Sequence, residues 1–275
     1  MPDRFKGRLV LVGLGLHDEK DVTVRGLEEI RSADVVFSER YTSRLCEGAI
    51  SRLSETTGRE IQMLTREDVE DASVILEACK GRRAALLVVG DPLTATTHID
   101  LRLRAEKDSI ETAVVHAPSV LTAVPGLLGL QHYKFGRVTT LPFPHEGHLP
   151  TSPCEIIIDN LERGLHSMVL LDIDSENDRY MTANEGMRFL LEMSSKQERA
   201  EAISSETLVC VVARAGAPDC IVAAGRLEDM GLRDFGQPLH TIVVPGHLHF
   251  MEEEALQTFA GARKFSADKG DSQPI

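Results

Sequence analysis

The sequence predicts an α/β fold of two domains, the N-terminal one with a mostly parallel sheet and the C-terminal one with a mixed sheet. Short apolar runs alternate with segments of helical periodicity through the first half of the chain. One run, AALLVV at 84–89, is continuously apolar, which is typical of a strand buried on both faces of a parallel sheet. In the second half, strand-like runs follow one another without an intervening helix, which indicates antiparallel pairing.

The length and composition fit a folded protein with a substantial core. Hydrophobic residues make up 42% of the 275 residues and charged residues 27%, enough for one large domain or two medium ones. We place the boundary between residues 118 and 119, giving domains 1–118 and 119–275. The formal net charge of -13 argues against a general nucleic-acid binder, whose affinity depends on neutralising phosphates.

Segments that would direct the chain to a membrane or an oxidising compartment are not found. No apolar run reaches the ~20 residues of a membrane span, and residues 1–6 lead into a strand without the apolar stretch of a signal peptide. The five cysteines are widely spaced and form no CxxC, so neither disulfides nor a structural zinc site is expected. We therefore expect a cytoplasmic protein that binds no membrane and no nucleic acid.

The first half alternates predicted strands and helices, which implies right-handed crossovers. A helix at 23–33 follows from the three-residue spacing of Val24, Leu27 and Ile30, and one at 66–79 from an apolar stripe that ends at Cys79. In chain order the predicted elements are strand 8–12, helix 23–33, strand 34–37, helix 66–79, strand 84–89, helix 97–106 and strand 112–116.

The second half begins with an apolar segment that prolines and glycines interrupt after Ser119, followed by an irregular, proline-rich loop at 141–153. The predicted elements after it are helix 155–163, strand 168–172, helix 182–192, the strands 207–213, 220–224 and 241–244, and a helix that begins near Met251.

Ligands of open α/β sheets bind beyond the carboxyl ends of the strands, and four loops lie at such ends. They are 13–18, 90–97, 117–119 and 213–216. The first has paired glycines but lacks the third glycine of a dinucleotide fingerprint, so it is either a ligand-contacting loop or a plain tight turn. The second provides the carboxylate of Asp91 and several hydroxyls, and we expect Thr96 or Thr97 to cap a helix in addition.

Two histidine pairs have spacings that could serve a metal, at 145 and 148 and at 247 and 249. Neither forms HExxH, and histidines near turns more often make ordinary hydrogen bonds. We therefore predict no metal site.

The strand-end loops carry motifs that occur together in one family. The chain resembles the diphthine synthases, which belong to the tetrapyrrole methylase superfamily, from residue 9 to residue 261. The motifs are GLGLHDEKDVTVRGLE (13–28), YTS (41–43), REDVE (66–70), GDPLTATTH (90–98), HAPS (116–119), YKFG (133–136), ERGLH (162–166), LLDI (170–173), YMTANE (180–185), ARAG (213–216) and VPGHLH (244–249).

The resemblance implies a tetrapyrrole-methylase-like fold, usually a homodimer, with the active site in a cleft between the domains. It implies a methyltransferase that uses S-adenosylmethionine and releases S-adenosylhomocysteine. The substrate would be the 3-amino-3-carboxypropyl-histidine of translation elongation factor 2, whose amino group is methylated to give diphthine in diphthamide biosynthesis. Three methyl groups are favoured over four.

The same resemblance assigns the cofactor contacts residue by residue. For Thr94, where the family often has valine, a backbone contact is expected. No residue stands out in the sequence as a general base, and none is assigned. The implied contacts are Leu16, Asp91, Thr94, Ser119, Val120, Leu171, Ala215 and His240.

Two other functions compete with this one. The first is another methyltransferase of the superfamily acting on a tetrapyrrole, against which YTS at 41–43 and YMTANE at 180–185 argue. The second is a non-catalytic regulator that senses S-adenosylmethionine. We also expect the loop at 141–153, preceded by Lys134 and Arg137, to form part of the rim that receives the substrate's carboxylate. The alternative is that this loop only connects the domains.

Overall fold

A computed structural model of the protein describes residues 7–39, 41–175, 177–197 and 202–263. The chain forms two compact units. Of the described residues, the first unit contains those within 7–124, 172–181 and 214–220, and the second contains those within 125–171, 182–213 and 221–263. The expected domain boundary between residues 118 and 119 stays a prediction, because compactness alone does not define independent domains.

The strands lie close to the predicted positions, with short additional ones. In chain order they are β1 (Arg8–Gly13), β2 (Val35–Glu39), β3 (Ile61–Leu64), β4 (Arg83–Val88), β5 (Glu111–Val115), β6 (Thr139–Leu141), β7 (Ser167–Leu171), β8 (Ile173–Asp174), β9 (Arg179–Tyr180), β10 (Leu208–Ala213), β11 (Ile221–Arg226) and β12 (His240–Val244).

In the first half of the chain, helices lie between successive strands in chain order. In the second half, helices precede, separate and follow the strands of the second sheet in chain order. In chain order they are α1 (Val24–Ser32), α2 (Ala49–Thr57), α3 (Arg66–Asp71), α4 (Ser73–Cys79), α5 (Ile99–Lys107), α6 (Val120–Leu128), α7 (Ser152–Glu162), α8 (Ala183–Ser195), α9 (Leu227–Gly231) and α10 (Phe250–Ala260). No described helix combines the length and apolarity needed to cross a membrane.

The first unit is built on a parallel sheet in the order β3-β2-β4-β1-β5. Alternate residues of β1 enter two separate cores: Leu9 and Leu11 pack in the core that contains Ile75, and Val10 and Val12 pack in the core that contains Ile30. Helices therefore cover both faces of the sheet, as the continuous apolar run of β4 predicts. The predicted parallel α/β architecture is confirmed.

The single helix predicted at 66–79 is wrong, because Ala72 adopts a left-handed conformation (φ 63) and separates α3 from α4. The carboxylate of Asp71 accepts hydrogen bonds from the amide and hydroxyl of Ser73. Such local bonds compete with helical ones. Val69 and Cys79 still reach the same core, so the apolar stripe continues across a break that periodicity alone does not reveal.

The second unit has a mixed sheet in the order β11-β10-β12-β7-β6. β6 runs parallel to β7, and the other pairs are antiparallel. The predicted mixed sheet is confirmed. The loop at 141–153 leads from β6 to α7 inside this unit, so the alternative that it connects the domains is wrong. Within it, the backbones of His145 and His148 bond each other at 3.0 and 2.8 Å.

Candidate functional site

Three strand-end loops of the first unit meet at the carboxyl edge of its sheet. The amide of Gly90 donates to the carbonyl of Gly15 at 2.8 Å, which joins the loops after β1 and β4. A Cβ atom on Gly13 would lie 2.7 Å from the carbonyl oxygen of Gly90 and 2.7 Å from Cβ of Ala117 in the loop after β5. Close approach of the neighbouring loops thus requires a glycine at position 13, and the loops converge as the parallel sheet predicts.

The segment 214–220 adds a fourth loop to this edge. A Cβ atom on Gly216 (φ 86) would lie 2.8 Å from Cβ of Leu16, so Ala215 is next in the chain to a residue that packs against the first loop. The guanidinium of Arg214 binds the carboxylate of Asp219 at 2.6 Å and thereby closes the turn. Leu16 and Ala215, two predicted cofactor contacts, are thus brought together.

The backbone of Leu16 is fixed by a carboxylate beneath it. Oδ2 of Asp21 accepts hydrogen bonds from the amides of Leu16 and His17, at 3.1 and 2.7 Å. The carbonyl of His17 accepts from the amide of Cys46 at 2.8 Å. The loop after β1 is therefore held from both sides in one conformation.

Asp91 organises the loop after β4 and reaches the loop after β5. Its Oδ1 accepts from the Leu93 amide at 3.2 Å and from the Thr94 hydroxyl at 3.0 Å, and its Oδ2 lies 2.6 Å from Nδ1 of His116. Burial raises the pKa of the Asp91 carboxyl, but the hydrogen bonds from His116, Leu93 and Thr94 outweigh burial and hold this pKa below its usual value. The carboxylate is therefore ionised at neutral pH.

The buried side chain of His98 holds the loop after β4 by a hydrogen bond to its backbone. Nδ1 of His98 lies 3.1 Å from the carbonyl oxygen of Pro92, which can only accept, so Nδ1 carries the proton and Nε2 accepts from the Tyr41 hydroxyl at 3.3 Å. Burial, followed by the charges of Glu39 and Glu70, raises the pKa of Tyr41 to about 12, which keeps the hydroxyl protonated. The sequence alone does not predict these supporting roles of Tyr41 and His98, although the two side chains lie in the YTS and GDPLTATTH motifs.

The expectation that a threonine of this loop caps a helix is wrong. The hydroxyl of Thr96 donates to the carbonyl of Pro92 at 2.8 Å, and α5 begins after His98 without a side-chain cap. Ser119 does act locally at the start of α6, because its hydroxyl accepts from the amide of Leu121 at 3.3 Å. It is buried and directly precedes Val120.

Two predicted cofactor contacts lie in the second unit. Leu171 ends β7 and pairs with Leu141 of β6. His240 is buried at the start of β12, where Nδ1 accepts from the Ala183 amide and Nε2 donates to the Gln237 carbonyl, both at 3.0 Å. Since both ring nitrogens of His240 are occupied, any contact of this residue with a ligand must come from its backbone.

Of the four histidines considered as metal ligands, His249 uses its ring in a helix cap, and the hydrogen bonds of the other three are made by their backbones. His249 caps α10 by accepting from the Met251 amide at 3.3 Å, and the carbonyl of His247 accepts from the ammonium of Lys134 at 2.6 Å. In the part of the chain that the structure describes, no three His, Cys, Asp or Glu side chains form a group that could hold a metal ion.

Comparison with known proteins agrees with the fold. The family of Tetrapyrrole (Corrin/Porphyrin) Methylases matches residues 8–231. A diphthine synthase of Methanothermobacter thermautotrophicus is 45% identical over 254 residues, which are 92% of this chain and 96% of that protein. The chain belongs to the diphthine synthase family. A diphthine synthase of Methanocella arvoryzae is likewise 45% identical, over 93% of this chain and 99% of its own.

Solved structures extend the match to the diphthine synthase fold. A crystal structure of diphthine synthase shares 37% identity with a TM-score of 0.84 and covers 93% of this chain and 96% of its own. A putative diphthine synthase from Entamoeba histolytica shares 36% identity with a TM-score of 0.85, covering 94% and 99%. The family resemblance found in the sequence motifs is confirmed, as is the fold that it implies.

Proposed function

We propose that this protein methylates the amino group of the 3-amino-3-carboxypropyl-histidine of translation elongation factor 2, making diphthine in diphthamide biosynthesis. The observation that carries the proposal is the 45% identity to diphthine synthases over nearly the whole of both chains. The membership of the tetrapyrrole methylase family supports an S-adenosylmethionine-dependent methyltransferase. That family match fits a methyltransferase acting on a tetrapyrrole equally well, so the identity to diphthine synthases is what favours the proposed function over this competitor.

The residues of the first unit suit S-adenosylmethionine as methyl donor. A Cβ atom on Gly13 would collide with the neighbouring loops, whereas a Cβ atom on Gly90 would meet nothing within 4 Å. The carboxyl edge of the parallel sheet therefore has exposed backbone beside open space that a ligand could fill. We assign the cofactor contacts to Leu16, Asp91, Thr94, Ser119, Val120 and Ala215 in the first unit. The hydroxyl of Thr94 is bound to Asp91, which favours the expected backbone contact.

We also assign contacts with the methyl donor to Leu171 and His240 of the second unit, as the family resemblance implies, and the contact of His240 to its backbone. The occupied ring of His240 agrees with this assignment, because a backbone contact leaves its hydrogen bonds intact.

Methyl transfer to an amine requires mainly that the protein align the methyl donor with the amine. When bound, S-adenosylmethionine supplies a methyl group on a sulfonium, which a neutral amine can attack in line, and S-adenosylhomocysteine remains. The chain's part is to hold the two reactants in line and to exclude water, which can supply a large share of the rate enhancement. The hydrogen bonds that fix the loops around Leu16 and Asp91 give the required rigidity.

The partner is a protein, and we propose a cytoplasmic homodimer that binds neither nucleic acid nor membrane. The net charge of -13 agrees with this and suits a substrate tip that is locally basic. The exposed apolar side chains of α10, Phe250, Met251 and Phe259, offer surface that a second copy could cover. The loop at 141–153 remains our candidate for part of the rim that meets the substrate.

Mass spectrometry of elongation factor 2 tests the function directly. The factor, carrying the 3-amino-3-carboxypropyl group, is incubated with enzyme and S-adenosylmethionine, and the modified peptide is weighed and fragmented. We expect three methyl groups on the amino nitrogen. A fourth on the carboxylate would identify a methyl ester and correct the number. No methylation of the factor, with S-adenosylmethionine still bound, would favour the regulator, and methylation of a tetrapyrrole instead would favour the other methyltransferase.

A further inference from the structure

An imidazole and a buried carboxylate form a pair between two of the strand-end loops. Nδ1 of His116 lies 2.6 Å from Oδ2 of Asp91, and the Asp91 side chain is 11% exposed whereas that of His116 is 72% exposed. We propose that His116 is the proton acceptor for the substrate amine, with Asp91 as the residue that positions it. This inference rests on the proposed function and names a catalytic group that the sequence alone does not reveal.

The hydrogen bond defines which ring nitrogen can take a proton. The carboxylate of Asp91 is ionised and can only accept, so Nδ1 of His116 must carry the hydrogen. The lone pair of the neutral imidazole is then on Nε2, and no described residue forms a hydrogen bond to that atom. A carboxylate that orients an imidazole and stabilises its protonated form is the arrangement that general bases need.

Proton balance shows why an acceptor is useful in this reaction. The substrate amine is an ammonium group in neutral water and must lose one proton before its nitrogen can attack. Each transfer forms one N–C bond and breaks the S–C bond of the sulfonium. After the first and second transfers the methylated nitrogen is again protonated and must again be deprotonated. Conversion of the ammonium to a trimethylammonium therefore releases three protons, one for each methyl group.

The position of His116 agrees with this role. It lies three residues before Ser119 and is hydrogen-bonded to Asp91, so it touches or neighbours two of the proposed cofactor contacts. Asp91 is the charged side chain in contact with it. On the adjoining loop, the carboxylate of Asp21 is turned to the amides of Leu16 and His17. A proton taken up at Nε2 can pass to solvent from the exposed ring between transfers.

The test uses His116→Asn, because the asparagine amide can keep the hydrogen bond to Asp91 while Nε2 is lost. We expect kcat for methylation of elongation factor 2 at neutral pH to fall about 100-fold or more, the usual contribution of a general base. S-adenosylmethionine affinity, measured by calorimetry, should not change. The loss should shrink at alkaline pH, where solvent already deprotonates the amine. Imidazole added to His116→Ala should restore part of the rate, and His132→Asn, an exposed histidine of the second unit, should behave as wild type.

The outcomes separate the inference from the function beneath it. A His116→Asn enzyme as active as wild type at neutral pH would overturn the inference and leave the proposed function standing. So would a loss of the same size at every pH without imidazole rescue, since that would indicate a structural role. A wild-type enzyme that transfers no methyl to the factor at any pH would overturn the proposed function, and the inference with it.

Discussion

The carboxylate of Glu252 accepts a hydrogen bond from Nε2 of His166 at 3.0 Å, and both side chains are fully buried in the second unit. Nδ1 of His166 accepts from the amide of Gly246, so this histidine is neutral. Glu252 also accepts from the Lys134 ammonium and from two amides, and these bonds tie the first turn of α10 to three chain segments. The YKFG, ERGLH and VPGHLH motifs therefore meet in a structural network.

We expect Glu252→Gln to destabilise the protein by about 3–5 kcal/mol, because removing one partner leaves Lys134 and its neighbours without the buried negative charge. Urea unfolding measures the change. Glu254→Gln, an exposed position on the same helix, should stay within about 0.5 kcal/mol of wild type. Equal stability of both variants would show that the network contributes little.

The free energy of unfolding should fall in acid, and the shifted pKa values of Glu252 and His166 define the pH range of the loss. Burial raises the pKa of Glu252, but hydrogen bonds from His249, Lys134 and Gln131 outweigh burial and lower it to about 2 from 4.5. A depressed carboxyl pKa stabilises the fold above 4.5, and this contribution is lost as the pH falls toward 2. Burial also lowers the pKa of His166 below 6.5, so the unfolded chain takes up that proton first and acid again destabilises.

Denaturation curves at several pH values check the linkage. The stability difference between wild type and Glu252→Gln should narrow as the pH drops below 4.5, because Glu252 of the unfolded wild-type chain then takes up a proton, whereas the folded protein keeps its carboxylate ionised down to a pH of about 2. A difference that stays constant down to the acid limit of folding would contradict the assigned pKa direction.

A matched pair of glycine variants tests the convergence of the loops. Gly13→Ala places a methyl group 2.7 Å from the Gly90 carbonyl, so the loops must separate, with an expected cost of about 1–3 kcal/mol and weaker S-adenosylmethionine binding. Gly90→Ala meets open space and should cost only the left-handed backbone, about 1–2 kcal/mol, from its φ of 76. Calorimetric titration with S-adenosylmethionine distinguishes the two variants. If Gly13→Ala binds S-adenosylmethionine as tightly as wild type, the converging loops do not form the cofactor site.

Asp91→Ala should weaken S-adenosylmethionine binding by about 1.5–3 kcal/mol, because the loop loses the acceptor for Leu93 and Thr94 as well as any direct contact. Calorimetry on the folded variant measures this loss, and circular dichroism confirms that the fold is retained. An unchanged dissociation constant would remove Asp91 from the cofactor site.

A deletion within residues 144–149 should leave S-adenosylmethionine binding intact and slow the methylation of elongation factor 2. Added salt should lower the association rate of the wild-type pair, since exposed charges are screened beyond about 8–10 Å. Stopped-flow association at several salt concentrations measures the effect. A truncated enzyme with the normal methylation rate, together with a salt-independent wild type, would refute both the loop assignment and the electrostatic argument.

The sequence predicts the parallel sheet well, because strands such as β4 carry an unbroken apolar run between glycines and charges. It does not predict β3 or α2, because β3 has no buried residue and the buried face of α2 contains a single large apolar side chain, Leu53, beside Ala49 and Thr57. The break at Ala72 is accompanied by hydrogen bonds from the amide and hydroxyl of Ser73 to the carboxylate of Asp71, which local composition does not predict. The loops of the candidate site could be predicted from the strand ends and from the motifs. The contact between Asp91 and His116 could not, because it joins residues 25 positions apart in the chain.

The first unit is discontinuous in the chain, and this has a consequence for synthesis. Leu16 leaves the ribosome early, but Gly216, which packs against it, is made after the whole of 125–171 and 182–213. Closing so long a loop slows folding and leaves apolar edges exposed meanwhile. A nascent chain that stops short of residue 220 lacks one wall of the loop around Leu16. We therefore expect the ability to bind the methyl donor to appear only late in translation, so that truncated products are poor competitors for it.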